Sequence, residues 1–275
     1  MRLIDSHCHL NAAHFTDDTG EVLAAAREAG VERLLMPGWD VASSERAIAL
    51  SRELGGIPTA VGVHPHDAAA VDDAAWEGLV ALAADSSVAA IGETGLDFDR
   101  MWSPAEAQLS NLRRNLALAL ATGLPAILHC RSKPGARDAQ DALLAELRAA
   151  GFGGARAQAA FGGRASAILH SVSGPVDYVA AALELGCAVS VSGLAFRKGE
   201  EATAESVQLV PAHRLLVETD APYLAPAGAP KEARRRNEPR FVGLTARWVA
   251  ERRGVSPDAF GEGLVAAFDA VFAGR

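Results

Sequence analysis

Residues 88–131, VAAIGETGLDFDRMWSPAEAQLSNLRRNLALALATGLPAILHCR, hold a complete structural unit in one stretch. Val88–Ile91 is a short apolar run without polar alternation, as a strand buried on both faces requires. A carboxylate, Glu93, ends it. Ser103-Pro104 with Glu106 places a capping Ser and a Pro at the start of a helix over 104–122. Gly123 then stops the helix. A second apolar run, Pro125–Leu128, follows and ends in an imidazole, His129. The stretch reads as strand, helix, parallel strand, with a chemically useful side chain at the end of each strand.

The same unit recurs along the chain. Eight apolar runs are present: Arg2–Ile4, Val31–Pro37, Thr59–Val63, Val88–Ile91, Pro125–Leu128, Ala167–Leu169, Ala188–Val191 and Leu215–Val217. Helix-like segments lie between them near 17–30, 42–54, 73–84, 104–122, 137–150, 176–186 and 202–209. Residues 240–275 read as two more helices, split by Gly254, with Ser256-Pro257 capping the second. Eight β/α units close most naturally into a (β/α)8 TIM-type barrel forming one domain over 1–275. A doubly wound open sheet is the competing arrangement. The Ala/Gly-rich segment 149–167 reads as a flexible insertion.

The composition is that of a globular chain: 275 residues, 49% hydrophobic and 22% charged. This excludes disordered, collagen-like and disulfide-scaffold classes. The net charge of −8 argues against a sequence-independent duplex binder. The charge is uneven, however, at −11 over residues 1–100 and +3 over the rest. Cys8, Cys130 and Cys187 form no CxxC pair, which suggests a reducing compartment. Charged and imidazole groups within the first ten residues are unlike a signal peptide. The longest apolar stretch, Leu116–Leu128, is interrupted and too short to span a bilayer. The expectation is a cytoplasmic protein with no membrane contact and no obligate protein partner.

Six of the eight His follow strands: His7, His9, His64, His66, His129 and His170. Glu93 and Asp220 do the same. In a parallel barrel all strand C-termini open on one face, where active sites form. A single His after a strand is ordinarily a hydrogen-bonded loop residue, so the recurrence is the signal. His7 and His9 alternate with Cys8, and hence face one way while Cys8 faces the core. Two neutral imidazoles on one side suit a metal. Cys130 is likewise read as core packing. A buried Glu93 needs either Arg131 or a cation. Glu218 and Asp220 share a side of their strand, and one of them could be structural. The donors exceed what one tetrahedral ion needs, favouring two divalent ions bridged by a carboxylate. Mixed imidazole and carboxylate ligands suit Mg, Mn, Zn or Co.

These motifs resemble the TatD-type metal-dependent hydrolases, a branch of the amidohydrolase-like barrels. The resemblance rests on Asp5-Ser6-His7-Cys8-His9-Leu10, Gly62-Val63-His64-Pro65-His66, Gly92-Glu93-Thr94-Gly95-Leu96-Asp97, His129-Cys130-Arg131, His170-Ser171-Val172-Ser173-Gly174, Glu218-Thr219-Asp220-Ala221-Pro222-Tyr223 and Arg236-Asn237-Glu238-Pro239. It covers residues 1 to about 250. It implies that His7, His9 and Asp220 hold one metal, that Glu93 bridges, and that His129 and His170 hold the second. His64 would touch substrate phosphate or a water. The family is linked to metal-dependent DNA hydrolysis, including 3′-end trimming of single strands. The chain departs from the pattern in its longer 149–167 segment, in Val172 where Phe is common, and in a last helix without the usual Thr and Asn.

The expected chemistry is attack of activated water on phosphorus, with Asp220 as proton acceptor and Glu93 at the centre. Arg131 contacts either a phosphate or the surroundings of Glu93. Arg197, Lys198, Lys231, Arg234, Arg235, Arg236 and Arg240 lie on late loops and could guide a nucleic-acid backbone, or be a solvated basic run. Aromatic residues are few, but Trp102 and Tyr223 fall on loops of the same face, which favours single-stranded DNA over duplex. Two rival readings are an ester or amide hydrolase, concretely a D-aminoacyl-tRNA deacylase, and a non-catalytic barrel.

Overall fold

Every paired strand among the described residues runs parallel to its neighbour. The computed structural model describes residues 1–273; the last two residues of the expected tail helix lie outside them. β1 (Leu3–Asp5) lies beside β2 (Val31–Leu34). β3 (Met36–Pro37) opens a seven-stranded run in chain order through β4 (Thr59–Val61), β5 (Val88–Asp97), β6 (Ala126–Arg131), β7 (Ala167–Leu169), β8 (Cys187–Val191) and β9 (Leu215–Val217). The curled sheet closes where the segments leaving β1 and β9 meet. There the Ser6 amide donates to the Val217 carbonyl at 3.0 Å, and the Asp220 amide to the His7 carbonyl at 2.9 Å. The architecture is the expected TIM-type α/β fold.

The expected run Val31–Pro37 is one stave split at Leu35. The Leu35 amide donates to the Asp5 carbonyl and its carbonyl accepts the Cys8 amide, both at 3.0 Å. Backbone bonds thus reach β1 from the middle of this stave, and the second half is free to pair with β4.

The helices are α1 (Thr19–Glu28), α2 (Val41–Glu53), α3 (Asp73–Leu82), α4 (Ala105–Thr122), α5 (Asp138–Ala150), α6 (Ala155–Phe161), α7 (Val176–Glu184), α8 (Ala202–Leu209), α9 (Val242–Arg252) and α10 (Pro257–Phe272). In α4 the fully buried Leu112, Leu116 and Ala119 recur at helical spacing and face the sheet. Burying each Leu contributes about 2 kcal/mol. α9 and α10 pack over β1 and β9. No described helix is long and apolar enough to cross a membrane.

Segment 149–167, expected to be a flexible insertion, contains α6, and one other expectation is corrected. Phe152 and Phe161 are buried with their rings 6.0 Å apart, and Arg164 donates to the Gly123 carbonyl at 3.0 Å. Two Phe among small residues are enough to dock a short helix. Ser103 does not cap α4, whose N-cap is Pro104 without a side-chain bond. Its hydroxyl donates instead to the His66 carbonyl at 2.7 Å and accepts the Ala69 amide at 3.0 Å.

Gly95 shows how tightly the site's two central strands approach. Its φ is +139°, and an added Cβ would overlap the His129 carbonyl. Gly95→Ala is therefore expected to cost about 3 kcal/mol or more. A thermal or urea denaturation midpoint unchanged from wild type would contradict that packing.

Candidate metal centre

The mouth of the barrel collects side chains from six staves. His7 and His9 leave β1 on an extended segment, with the His9 amide bonded to the Ala221 carbonyl at 2.8 Å. As the alternation requires, Cys8 is fully buried, packed with Leu10, Phe15 and Met36. Glu93 does not follow its strand, as the sequence suggested, but lies within β5. The register with β6 shifts between Ile91 and Thr94, and the Glu93 amide bonds instead to the Gly38 carbonyl at 2.7 Å. The irregularity lets β5 continue while presenting the carboxylate to the centre. His129 also lies inside its strand, β6. His170 follows β7 directly, and Asp220 follows β9 in a left-handed conformation, φ +53°.

Glu93 organises two groups of donors with its two oxygens. Oε2 lies 3.2 Å from His7 Nε2 and 3.7 Å from His9 Nε2. These nitrogens are 3.2 Å apart, and Asp220 Oδ1 is 3.7 and 3.4 Å from them. Oε1 faces the other way, 3.1 Å from His170 Nε2, 3.2 Å from His129 Nδ1 and 3.4 Å from His64 Nε2. Donors around one tetrahedral ion at ~2.0–2.1 Å stand roughly 3.3 Å from each other. The donors about Oε2 are near that spacing, and Oε1 stands at a similar distance from each of its three imidazoles.

The far nitrogens support the same reading. His170 Nδ1 lies 2.8 Å from Glu218 Oε1, and His129 Nε2 lies 3.3 Å from Asp97 Oδ2. A carboxylate holding the distal N–H fixes the tautomer and leaves the inner nitrogen as a lone-pair donor. Glu218 is thus the structural member of the Glu218/Asp220 pair, acting through His170. Asp97 and Asp5, which the sequence gave no role, lie directly behind these side chains. Asp5 is fully buried, accepting from the Thr219 amide at 2.9 Å and the Thr219 hydroxyl at 2.5 Å, and so fixes the segment that carries Asp220. Burial pushes its carboxyl up to about 8. An acid at the end of an apolar strand was the available signal for both.

The electrostatics favour positive charge between the carboxylates. Burial opposes charge on Glu93, but the imidazoles of His170, His64 and His7 outweigh it and hold the carboxyl well below its usual range. Asp220 is lowered likewise, with burial overcome mainly by His9 and His170. Burial works against charging His170, yet Glu218 and Glu93 raise it well above an ordinary imidazole. Burial also works against His129, which Asp97 and Glu93 raise. Burial and the neighbouring His170 lower His7. Ionised carboxylates facing inward lone pairs are the donor set a divalent cation takes. Three such groupings are present among the described residues: His7/His170/Asp220, His7/His9/Glu93 and His64/Glu93/His129.

The remaining expected residues fall outside this cluster. Arg131 is half-exposed and pairs with Asp99 at 2.8 Å, so it does not reach Glu93. Arg236 is bound to Asp18 at 2.8 Å and Glu238 at 3.0 Å, and Arg240 to Glu238 at 2.9 Å. Arg197, Lys198, Lys231, Arg234 and Arg235 are exposed, with Lys231 and Arg234 at the ends of a 3-10 turn. Glu218→Ala is expected to weaken metal binding about 10- to 100-fold. Calorimetric titration with Mn²⁺ showing wild-type affinity would contradict the positioning of His170 by Glu218.

A family model described as TatD related DNase matches residues 4–273. A Klebsiella pneumoniae (strain 342) protein named 3′-5′ ssDNA/RNA exonuclease TatD is 36% identical over 255 residues, covering 92% of this chain and 90% of that one. The protein of that name from Escherichia coli (strain K12) is 33% identical over 255 residues, covering 92% of each. The crystal structure of a TatD homologue from Escherichia coli K12 superposes with a TM-score of 0.85 at 25% identity, covering 99% of this chain and 98% of that one.

Proposed function

This chain belongs to the TatD-related DNase family of metal-dependent hydrolases, and from that premise we propose that it is a two-metal exonuclease releasing nucleotides from the 3′ end of single-stranded nucleic acid. The observation that carries the reading is the pair of Glu93 oxygens, each turned to its own set of imidazoles. His7, His9 and Asp220 would hold one ion, and His129 and His170 the other, with Glu93 shared. Such ions supply Lewis acidity to phosphoryl oxygens and make water acidic near neutral pH.

The chain's own groups divide the remaining work. Asp220, ionised and slightly exposed, is the proton acceptor at the mouth of the site. His64 also stands against Glu93 Oε1, but its tautomer sets it apart from the other imidazoles there. Burial keeps it neutral, down to about 4, and its Nδ1 accepts the His66 amide at 3.1 Å. Its Nε2 therefore carries the proton, which makes it a hydrogen-bond donor toward a phosphoryl oxygen. Substrate contact through Arg131 would require exchange from Asp99. Arg236, already balanced by Asp18 and Glu238, serves the fold of its loop better than a phosphate. The relatives' shared name speaks for single-stranded DNA and RNA as substrates.

The test compares nucleotide release from a 3′-labelled single-stranded oligonucleotide with amino-acid release from D-aminoacyl-tRNA. Mononucleotides appearing one by one from the 3′ end are expected. Efficient deacylation with an intact oligonucleotide would move the same site to ester hydrolysis.

A further inference from the structure

Trp102 is the most exposed large apolar residue among those described, at 67%. It sits beside an exposed Met101 whose backbone is left-handed, φ +53°. An exposed apolar pair at a loop tip, in a conformation disfavoured for Met, is costly unless the ring serves a ligand. The loop backbone is nevertheless pinned by hydrogen bonds. The Asp99 and Arg100 amides donate to Asp97 Oδ1 at 3.1 and 2.8 Å, and Gln108 Nε2 donates to the Ser103 and Asp97 carbonyls at 2.8 and 3.1 Å. On one side the indole rests on His66, with centroids 4.2 Å apart. His66 Nε2 is itself fixed by Asp97 Oδ2 at 2.8 Å, the oxygen that also holds His129. One carboxylate thus ties the exposed ring to the metal-facing imidazole.

We propose that Trp102 is the platform on which a nucleobase of the substrate stacks, seating unpaired nucleotides beside the Glu93 centre. The inference rests on the nuclease reading above. A ring already fixed by its loop loses little entropy on binding. Stacking on an aromatic face is tolerant of sequence, since every base has one. It also demands a base free of its complement, which selects single strands at the site itself without an extended basic groove. Arg100, whose guanidinium lies 5.9 Å from the indole centroid, stands where it can close over a stacked base.

The test measures binding of a hydrolysis-resistant phosphorothioate oligothymidylate and of its abasic counterpart to the purified, metal-loaded protein. Wild type is expected to prefer the base-bearing strand by about tenfold. Trp102→Ala should remove that preference and Trp102→Phe retain part of it. The other tryptophans, Trp39, Trp76 and Trp248, are partly buried. The emission lost in Trp102→Phe therefore isolates Trp102, and only the base-bearing strand should quench it. Equal affinity for both strands, binding of neither, or a preference that survives Trp102→Ala would overturn the proposal. Base-dependent binding to a protein that releases no nucleotide from natural oligothymidylate would instead defeat the nuclease reading alone.

Discussion

Replacing Glu93 with Gln should lower nucleotide release by about three orders of magnitude, while the far-ultraviolet circular dichroism of the protein stays that of the wild type. Gln keeps the volume but loses the charge that faces five imidazoles at 3.1–3.7 Å. Glu93 turns one oxygen to each donor group, so this substitution damages both at once. Each His reaches mainly one group, and single His→Ala variants should fall less far. The strand itself survives, because the β5 register on either side of the irregularity is held by backbone bonds to β6. Steady-state rates decide the matter. Activity of purified Glu93→Gln within tenfold of wild type would remove Glu93 from the centre of the chemistry.

Removing divalent ions should be as damaging to activity and also measurable in stability. Dialysis against a chelator is expected to abolish nucleotide release, and Mn²⁺ to restore it. Ligand held only by the folded state stabilises by about 2.7 kcal/mol at a hundredfold excess over Kd, so the thermal midpoint should rise on reloading. Reloading should also acidify an unbuffered solution. His170 and His129 are raised by their carboxylate partners against the opposing effect of burial, and both must lose protons before their inner nitrogens can bind a cation. Metal affinity should therefore strengthen as pH rises through these raised imidazole values and weaken as pH falls below them. An affinity independent of pH, or a midpoint indifferent to Mn²⁺, would contradict the assignment of those two residues.

The parts of this site that could be read from the sequence are those carried by short-range periodicity. Unbroken apolar runs ending in His or acid betray a strand and the direction of its C-terminus, and the convergence of His7, His9, His129, His170 and Asp220 follows from parallel closure. Features set by contacts distant in sequence could not be read in this way. Arg131 meets Asp99, and Arg236 meets Asp18, through loop geometry that no local pattern encodes. Ser103 has a capping residue's position but finds a closer partner in the His66 carbonyl. Glu93 appears to end a strand only because two glycines flank it, whereas the strand resumes to Asp97. Helix α6 is hidden because Ala and Gly carry little periodic signal, and its docking depends on Phe152 and Phe161 meeting in space. Asp97 illustrates the limit best. Its role lies in joining His129 to His66, and those imidazoles come from different staves.

The most direct measurement is a crystal grown with Mn²⁺ and recorded for anomalous scattering. Two peaks are expected, one on each side of the Glu93 carboxylate, the first against His7, His9 and Asp220 and the second against His129 and His170. An anomalous map with no peak among these side chains, from crystals whose enzyme is fully active, would contradict that assignment.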